Sequence, residues 1–266
     1  MPHSSNTRRD HLRFRYHEAV SYLKGISLRK PEGKVRLVIF GQGRTGSTLL
    51  ESLLASTGHF RPNGELLNTS RGEVRYPVQY VRGLARRYPE ENLVFHVKVY
   101  QLTEDRKHPT DPSVFLKKLS NDGWTILYLR RLNKVKHALS TILAENIGYY
   151  HKFKDKDTKT RINLDCNYFA TVMEARFRFE EAERKALGKL PHLEVVYEKD
   201  LEKAEYHQPT IDGILDYLGM EKKPVSTKHR KLNTQTPEEL IANYDEFAEL
   251  LKSRNWMDYL EHQLIR

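Results

Sequence analysis

The chain has 266 residues, a single cysteine and a formal net charge of +10. Its length accommodates one large domain with a full hydrophobic core, and Cys166 alone excludes an intrachain disulfide framework, which points to a reducing, cytoplasmic setting. No apolar run approaches the roughly eighteen residues of a membrane span, the N-terminus lacks the apolar core of an export signal, and the excess of 45 Lys and Arg over 35 acids favours anionic partners without choosing among them.

In chain order, His11 to Leu23 reads as a preliminary helix within an N-terminal extension (residues 1–30), ahead of a single domain spanning 31–266. Val35–Phe40 is a β-branched, apolar run of strand type. Gly41 to Gly46 forms a glycine-punctuated turn, and Ser47 opens a helix with Leu49, Leu50, Leu53 and Leu54 on one face. The stretch from His59 to Asn68 is irregular or extended, broken by Pro62 and Gly64. A helix over Tyr76–Tyr88, a strand over Leu93–Tyr100, a helix over Pro112–Leu119 with Asp111 as cap, and a strand over Trp124–Leu129 follow. Val135–Ile147 is helical; Gly148–Arg161 is polar and lysine-rich, as expected of a loop or lid. A long helix over Asp165–Leu187, a fourth strand over Leu193–Tyr197 and helices over Pro209–Leu218 and Pro237–Leu251 complete the pattern. Strands alternating with helices predict an α/β fold with a mostly parallel sheet covered on both faces, and ligands in such sheets sit beyond the carboxyl ends of the strands.

The first strand, glycine loop and helix together make a phosphate-binding arrangement, because backbone N–H groups and the helix dipole converge on an anion. Gly41 and Gly46 have the spacing of a nucleotide-triphosphatase loop and Thr48 fits its last position, but Ser47 stands where that loop carries lysine. The missing lysine argues against ATP or GTP as a phosphoryl donor, while Arg44 keeps a cation within the loop. A second anion site is suggested where the third strand runs into Leu129-Arg130-Arg131 and a helix carrying Ser140. Arg131 and Ser140 could share a phosphate; equally, Arg131 could salt-bridge a helix surface and Ser140 could be a small packing residue.

These two segments together resemble the sulfotransferases that use 3′-phosphoadenosine 5′-phosphosulfate (PAPS). Gly43–Gly58 is similar to the loop of the bacterial carbohydrate branch. Pro62–Thr69, the Lys98 strand, Leu129–Arg131 and Val195–Gly219 resemble the rhizobial Nod-factor enzyme, and the Arg131 to Ser140 spacing is similar to that of trehalose 2-sulfotransferase. The likeness spans about residues 35–255; residues 149–165 have no counterpart and the N-terminal 30 residues are extra. It implies a three-layer P-loop-type fold and sulfuryl transfer from PAPS, without metal, to a hydroxyl of a carbohydrate or glycolipid acceptor. A homodimer is implied by the trehalose enzyme. PAPS carries a phosphosulfate and a separate 3′-phosphate, which matches two anion sites.

On this resemblance Arg44, Thr45, Gly46, Ser47 and Thr48 cradle the phosphosulfate, Arg131 and Ser140 hold the 3′-phosphate, and Lys228, Arg230 and Lys231 close over the nucleotide or else form a solvated face. Glu65 is the candidate base, with an ordinary carboxylate pKa of about 4.3 keeping it ionised at neutral pH; its alternatives are an acceptor-binding carboxylate or a helix cap. His59 and His96 compete for that role. Lys98 either stabilises the transferring group or ion-pairs with a carboxylate. Asn68, Arg71 and Tyr76 are candidate acceptor contacts, and Tyr149, Tyr150 and Tyr168 candidate stacking platforms. No Cys/His cluster has metal-ligand spacing. Two rivals stand beside this reading: a small-molecule or nucleotide kinase on the same fold, and a basic nucleic-acid-binding module, for which no groove-reading or stacking motif is present.

Overall fold

A computed structural model describes residues 8–25, 34–145, 161–229 and 235–261. Its centre is a five-stranded, wholly parallel sheet of β1 (Arg36–Gly41), β2 (Phe60–Pro62), β3 (Asn92–Val97), β4 (Thr125–Arg130) and β5 (His192–Val196), in the order β2-β3-β1-β4-β5. β1 is buried along its whole length, as a central parallel strand must be. The two sides of the sheet follow the strand's period of two. Val38, Phe40, Phe95, Val97, Ile126 and Tyr128 pack with α3 (Pro77–Arg87), α4 (Pro112–Asn121) and α6 (Cys166–Leu187) on one face. Leu37, Ile39, Val94, Leu127 and Leu129 pack with α2 (Ser47–Ser56) and α7 (Ala204–Tyr217) on the other. This is the three-layer α/β architecture expected from the alternating pattern. α5 (Lys134–Glu145) joins α6 and the late helices in a third apolar cluster around Phe169, Met173 and Phe247.

The sheet places β3 and β4 on opposite sides of β1, so the chain reverses direction across the sheet at the carboxyl end of β1, and a crevice opens there. The helix-forming signals are local. Asp111 accepts from the amides of Ser113 and Val114 and Pro112 occupies the first turn of α4; Asp165 caps α6 in the same way. The N-terminal helix α1 (Arg8–Gly25) lies tightly on α3. Gly83 is required there, since a Cβ at that position would stand 1.8 Å from the Ser21 carbonyl oxygen. Among the described residues no helix is long and apolar enough to cross a membrane.

Several boundaries differ from the sequence reading; the helix read from Pro209 begins at Ala204 and carries Pro209 inside it. β2 lies in the stretch read as irregular; three residues are too few for a periodic signal, and Pro62 is tolerated because β2 is an edge strand. β3 ends at Val97, and residues 98–102 turn back, with Gln101 N–H donating to the Lys98 carbonyl. The late helix is two helices, α8 (Pro237–Leu240) and α9 (Tyr244–Ser253), because Ile241 leaves the helix to bridge Ile162 and the Asn243 side chain bonds the Leu164 backbone. A last short helix, α10, covers Asp258–Glu261.

Candidate active site

The crevice at the carboxyl edge is a cleft of about 1080 Å³. One wall is the glycine loop. Gly46, the N-cap of α2, has φ 95°, a left-handed conformation natural to glycine, and a Cβ there would stand 2.9 Å from the Tyr197 ring. No side chain caps α2, so its first turn presents amides toward the cleft, lined here by Gly46, Ser47 and Thr48. Arg44 also adopts a positive φ, 67°. That conformation is uncommon for arginine and is held from both sides of the loop: Arg131 donates to the Arg44 carbonyl (3.1 Å), and His137 Nε2 donates to the Gly43 carbonyl (2.7 Å). Burial, reinforced by Arg176, Arg131 and Lys134, drives His137 well below the ordinary histidine range, so a neutral ring does this work. On the other side of the loop Tyr100 Oη accepts the Gly43 N–H (3.2 Å); burial pushes this phenol up to about 12, so it keeps its proton.

Arg44 Nε donates to Ser140 Oγ at 3.2 Å. The two anion sites that read as separate in the sequence therefore share a wall. Arg131, at the end of β4, is 8% exposed and lines the same cleft. Its guanidinium lies over the Tyr197 ring (4.7 Å to the centroid) and its Nε is 3.6 Å from Glu198. Glu198 in turn accepts from the amides of Leu132 (2.9 Å) and Asn133 (3.0 Å), fixing the β4–α5 corner. Arg131 thus braces the glycine loop as well as facing the cleft. Lys136 lines the cleft one helical turn before Ser140, in an i,i+4 relation on the same face of α5.

A second wall, meeting the first at Ser47, carries Glu65 and Lys98. Lys98, 2% exposed, donates to Glu65 Oε1 at 2.6 Å, to His96 Nδ1 at 2.7 Å and reaches Ser47 Oγ at 3.5 Å. It comes from the turn just after β3 yet stands beside the position where a triphosphatase loop has its lysine. Glu65 Oε2 further accepts from Asn68 Nδ2 and Gln101 Nε2, each at 2.9 Å. Burial alone would raise the Glu65 carboxyl, but the Lys98 ammonium and the bonds from Lys98 and Asn68 outweigh it and hold the group below the ordinary carboxylate range. Burial lowers Lys98, with Glu65 opposing.

Other sequence expectations fall differently. Thr45 is buried with its hydroxyl turned onto the Gln42 carbonyl (2.7 Å) and does not line the cleft, because the tight loop claims that hydroxyl for itself. Lys228 is exposed and off the cleft; its neighbour His229 lines it instead. Arg230, Lys231, Tyr149, Tyr150 and the Arg71 side chain lie outside the described residues, as does most of the lysine-rich stretch from Gly148. His59 bonds the Glu221 carbonyl away from the cleft, and Tyr76 is exposed elsewhere, its amide on Tyr22. Tyr168 hydrogen-bonds Glu145, a residue of the cleft rim. Sequence reasoning missed Gln101, Tyr100, His137, Glu198 and Glu51, whose site contacts are made only once separate elements are brought together. Among the described residues no group of His, Cys, Asp and Glu could hold a metal ion.

No protein-family model matches the chain, and no curated protein matches it. Solved structures of similar fold include a sulfotransferase from Alicyclobacillus acidocaldarius (12% identity, TM-score 0.47, covering 88% of this chain and 98% of that one). Mouse sulfotransferase SULT7A1 complexed with PAP is similar at 12% identity and TM-score 0.45, over 92% of this chain and 93% of that one. The sulfotransferase domain of the Synechococcus PCC 7002 olefin synthase is similar at 15% identity and TM-score 0.39, over 90% and 99%. At such identities and overlaps, likeness to them decides nothing about this chain's substrates.

Proposed function

We propose that the chain is a sulfotransferase that moves a sulfuryl group from PAPS to a hydroxyl of a carbohydrate acceptor. The observation that carries this reading is the convergence, on one cleft, of an uncapped helix N-terminus without the triphosphatase lysine, an Arg44–Ser140–Arg131 cluster, and a Glu65–Lys98 pair beside Ser47. The residues fit the donor's chemistry. The amides of Gly46, Ser47 and Thr48 suit its 5′-phosphosulfate. The side chains of Arg44 and Ser140, with Arg131 behind them, suit a phosphate one ribose away.

In the reaction the acceptor oxygen attacks sulfur in line and its proton passes to Glu65. The bond from sulfur to the bridging oxygen breaks, leaving adenosine 3′,5′-bisphosphate. Lys98, between Glu65 and Ser47, stabilises charge that develops on that bridging oxygen. The carbohydrate acceptor rests on the likeness of residues 43–58, 62–69 and 129–131 to the bacterial carbohydrate branch. Incubation with sulfur-labelled PAPS and a panel of cell-envelope glycans, with product position read by mass spectrometry, tests the reading. Label in a glycan hydroxyl supports it. Phosphate transfer from Mg-ATP without sulfuryl transfer would replace it by the kinase reading.

A further inference from the structure

Glu51 is a carboxylate set in the apolar run Leu49-Leu50-Glu51-Ser52-Leu53-Leu54 of α2, and it is 5% exposed. A buried carboxylate is costly unless its oxygens are satisfied, so its partners are informative. Glu51 Oε1 accepts from the amides of Asn63 (2.9 Å) and Gly64 (2.7 Å), immediately before Glu65. Its Oε2 stands 3.3 Å from His96 Nε2. The His96 amide donates to the Gly64 carbonyl (3.0 Å), so the same turn is gripped from β3 as well.

The histidine ring then links Glu51 to Lys98. Lys98 Nζ is 2.7 Å from His96 Nδ1, and an ammonium group can only donate. Nδ1 must therefore be the acceptor, and the ring hydrogen resides on Nε2, facing Glu51. A carboxylate accepts but cannot donate, so Glu51 selects that tautomer. We propose that Glu51 is a positioning residue: it fixes the backbone that presents Glu65, and through His96 it fixes the ring tautomer that holds Lys98 against Glu65 and Ser47. Its catalytic consequence rests on the sulfuryl-transfer reading; its structural content does not.

Glu51→Gln separates the two branches. The amide oxygen can still accept from Asn63 and Gly64, while the amide nitrogen, a donor, faces Nε2. The ring hydrogen then moves to Nδ1 and meets the Lys98 ammonium donor to donor. The test uses the full chain with ¹⁵N-labelled histidine, the His96 signals being assigned by their loss in His96→Gln. Long-range ¹⁵N–¹H spectra of the wild type at neutral pH are expected to show the Nε2–H tautomer at His96, and E51Q to shift it toward Nδ1–H. Turnover of PAPS is expected to fall about 10- to 100-fold in E51Q, the range for an outer partner that orients a reacting group, while binding of adenosine 3′,5′-bisphosphate changes less than about twofold. An Nδ1–H tautomer in the wild type overturns the proposal, with no variant needed. So does an E51Q protein that keeps both tautomer and turnover. If the wild type neither binds the bisphosphate nor turns over PAPS, the sulfuryl-transfer reading fails, and the tautomer spectra still decide the role of Glu51.

Discussion

The two walls of the cleft are built on different principles. The glycine-loop wall presents backbone amides, and the side chains beneath it, His137, Tyr100 and Arg131, act on the carbonyls and amide of residues 43 and 44. The Glu65–Lys98 wall presents side chains, and its supports, Glu51, His96 and Gln101, act on those side chains or on the turn that carries them. A wall of fixed backbone amides suits holding a donor's phosphates in one place without accepting or giving a proton. A wall of coupled side chains suits a place where charge and a proton change hands. The difference separates binding from chemistry, and substitutions on the two walls should separate them too.

The largest effect is expected on the side-chain wall. Glu65→Gln should lower turnover by at least about 100-fold while leaving bisphosphate affinity within a few-fold, as read by calorimetry beside steady-state rates. Because Lys98 and Asn68 hold Glu65 below the ordinary range against the opposing effect of burial, the acid limb of wild-type kcat should fall below pH 4.5 wherever the protein stays folded. Unchanged turnover in E65Q would remove Glu65 as the base and erase the distinction between the walls.

On the backbone wall, Arg131→Ala should weaken bisphosphate binding about 10- to 100-fold and also lower Tm. It leaves the Glu198 carboxylate, whose side chain is 5% exposed, without that cation, and breaking a buried pair costs about 3–5 kcal/mol. Arg44→Ala should weaken binding by about 10-fold, the value of a charge-assisted hydrogen bond, with little change in Tm because the Arg44 side chain is exposed and, among the described residues, hydrogen-bonds Ser140 Oγ. Equal losses of Tm in both variants would contradict the division of labour between brace and contact.

The smallest effect lies behind both walls. Glu183 on α6 is almost wholly buried, bonded by Tyr128 Oη, and burial pushes its carboxyl up to about 8 although Lys134 opposes it. The folded state therefore holds a proton that the unfolded state releases near pH 4.5. This group's contribution is most favourable below that value and declines as pH rises through about 8. Glu183→Gln should remove the decline, so the difference in unfolding free energy between variant and wild type should shift in favour of the variant from pH 6 to pH 9, by on the order of 1–3 kcal/mol, as read by denaturant unfolding at each pH. A constant difference would show that Glu183 does not titrate in this range.

What was legible in the sequence was local. Val35–Phe40, the glycine loop and the Leu49–Leu54 face lie within twenty residues, and each step of strand, turn and helix leaves its own pattern; the structure has all three in place. Lys98 and Glu65 were legible as residue types with a purpose. Their pairing was not, because it depends on β2 and β3 lying side by side, and β2 is three residues long. His96 alternates with Val97 in a strand, which leaves its face open until the α2 packing of Val94 settles it. Glu51 looked like one acid in a helix; only the turn at residues 63–64, folded over α2, shows why an acid is buried there. Thr45 and Lys228 show the converse. Their residue types suit an anion, but one hydroxyl is turned inward by the loop itself, and one ammonium is carried on an exposed segment that passes the cleft.

The central claim, that the backbone wall grips an adenylate bearing a separate 3′-phosphate and not a nucleoside triphosphate, is tested most directly by calorimetric titration of the intact protein. Adenosine 3′,5′-bisphosphate should bind with a Kd at or below the micromolar range, and Mg-ATP should bind at least about 30-fold more weakly, a gap of about 2 kcal/mol. Tight binding of Mg-ATP with none of the bisphosphate would contradict the account.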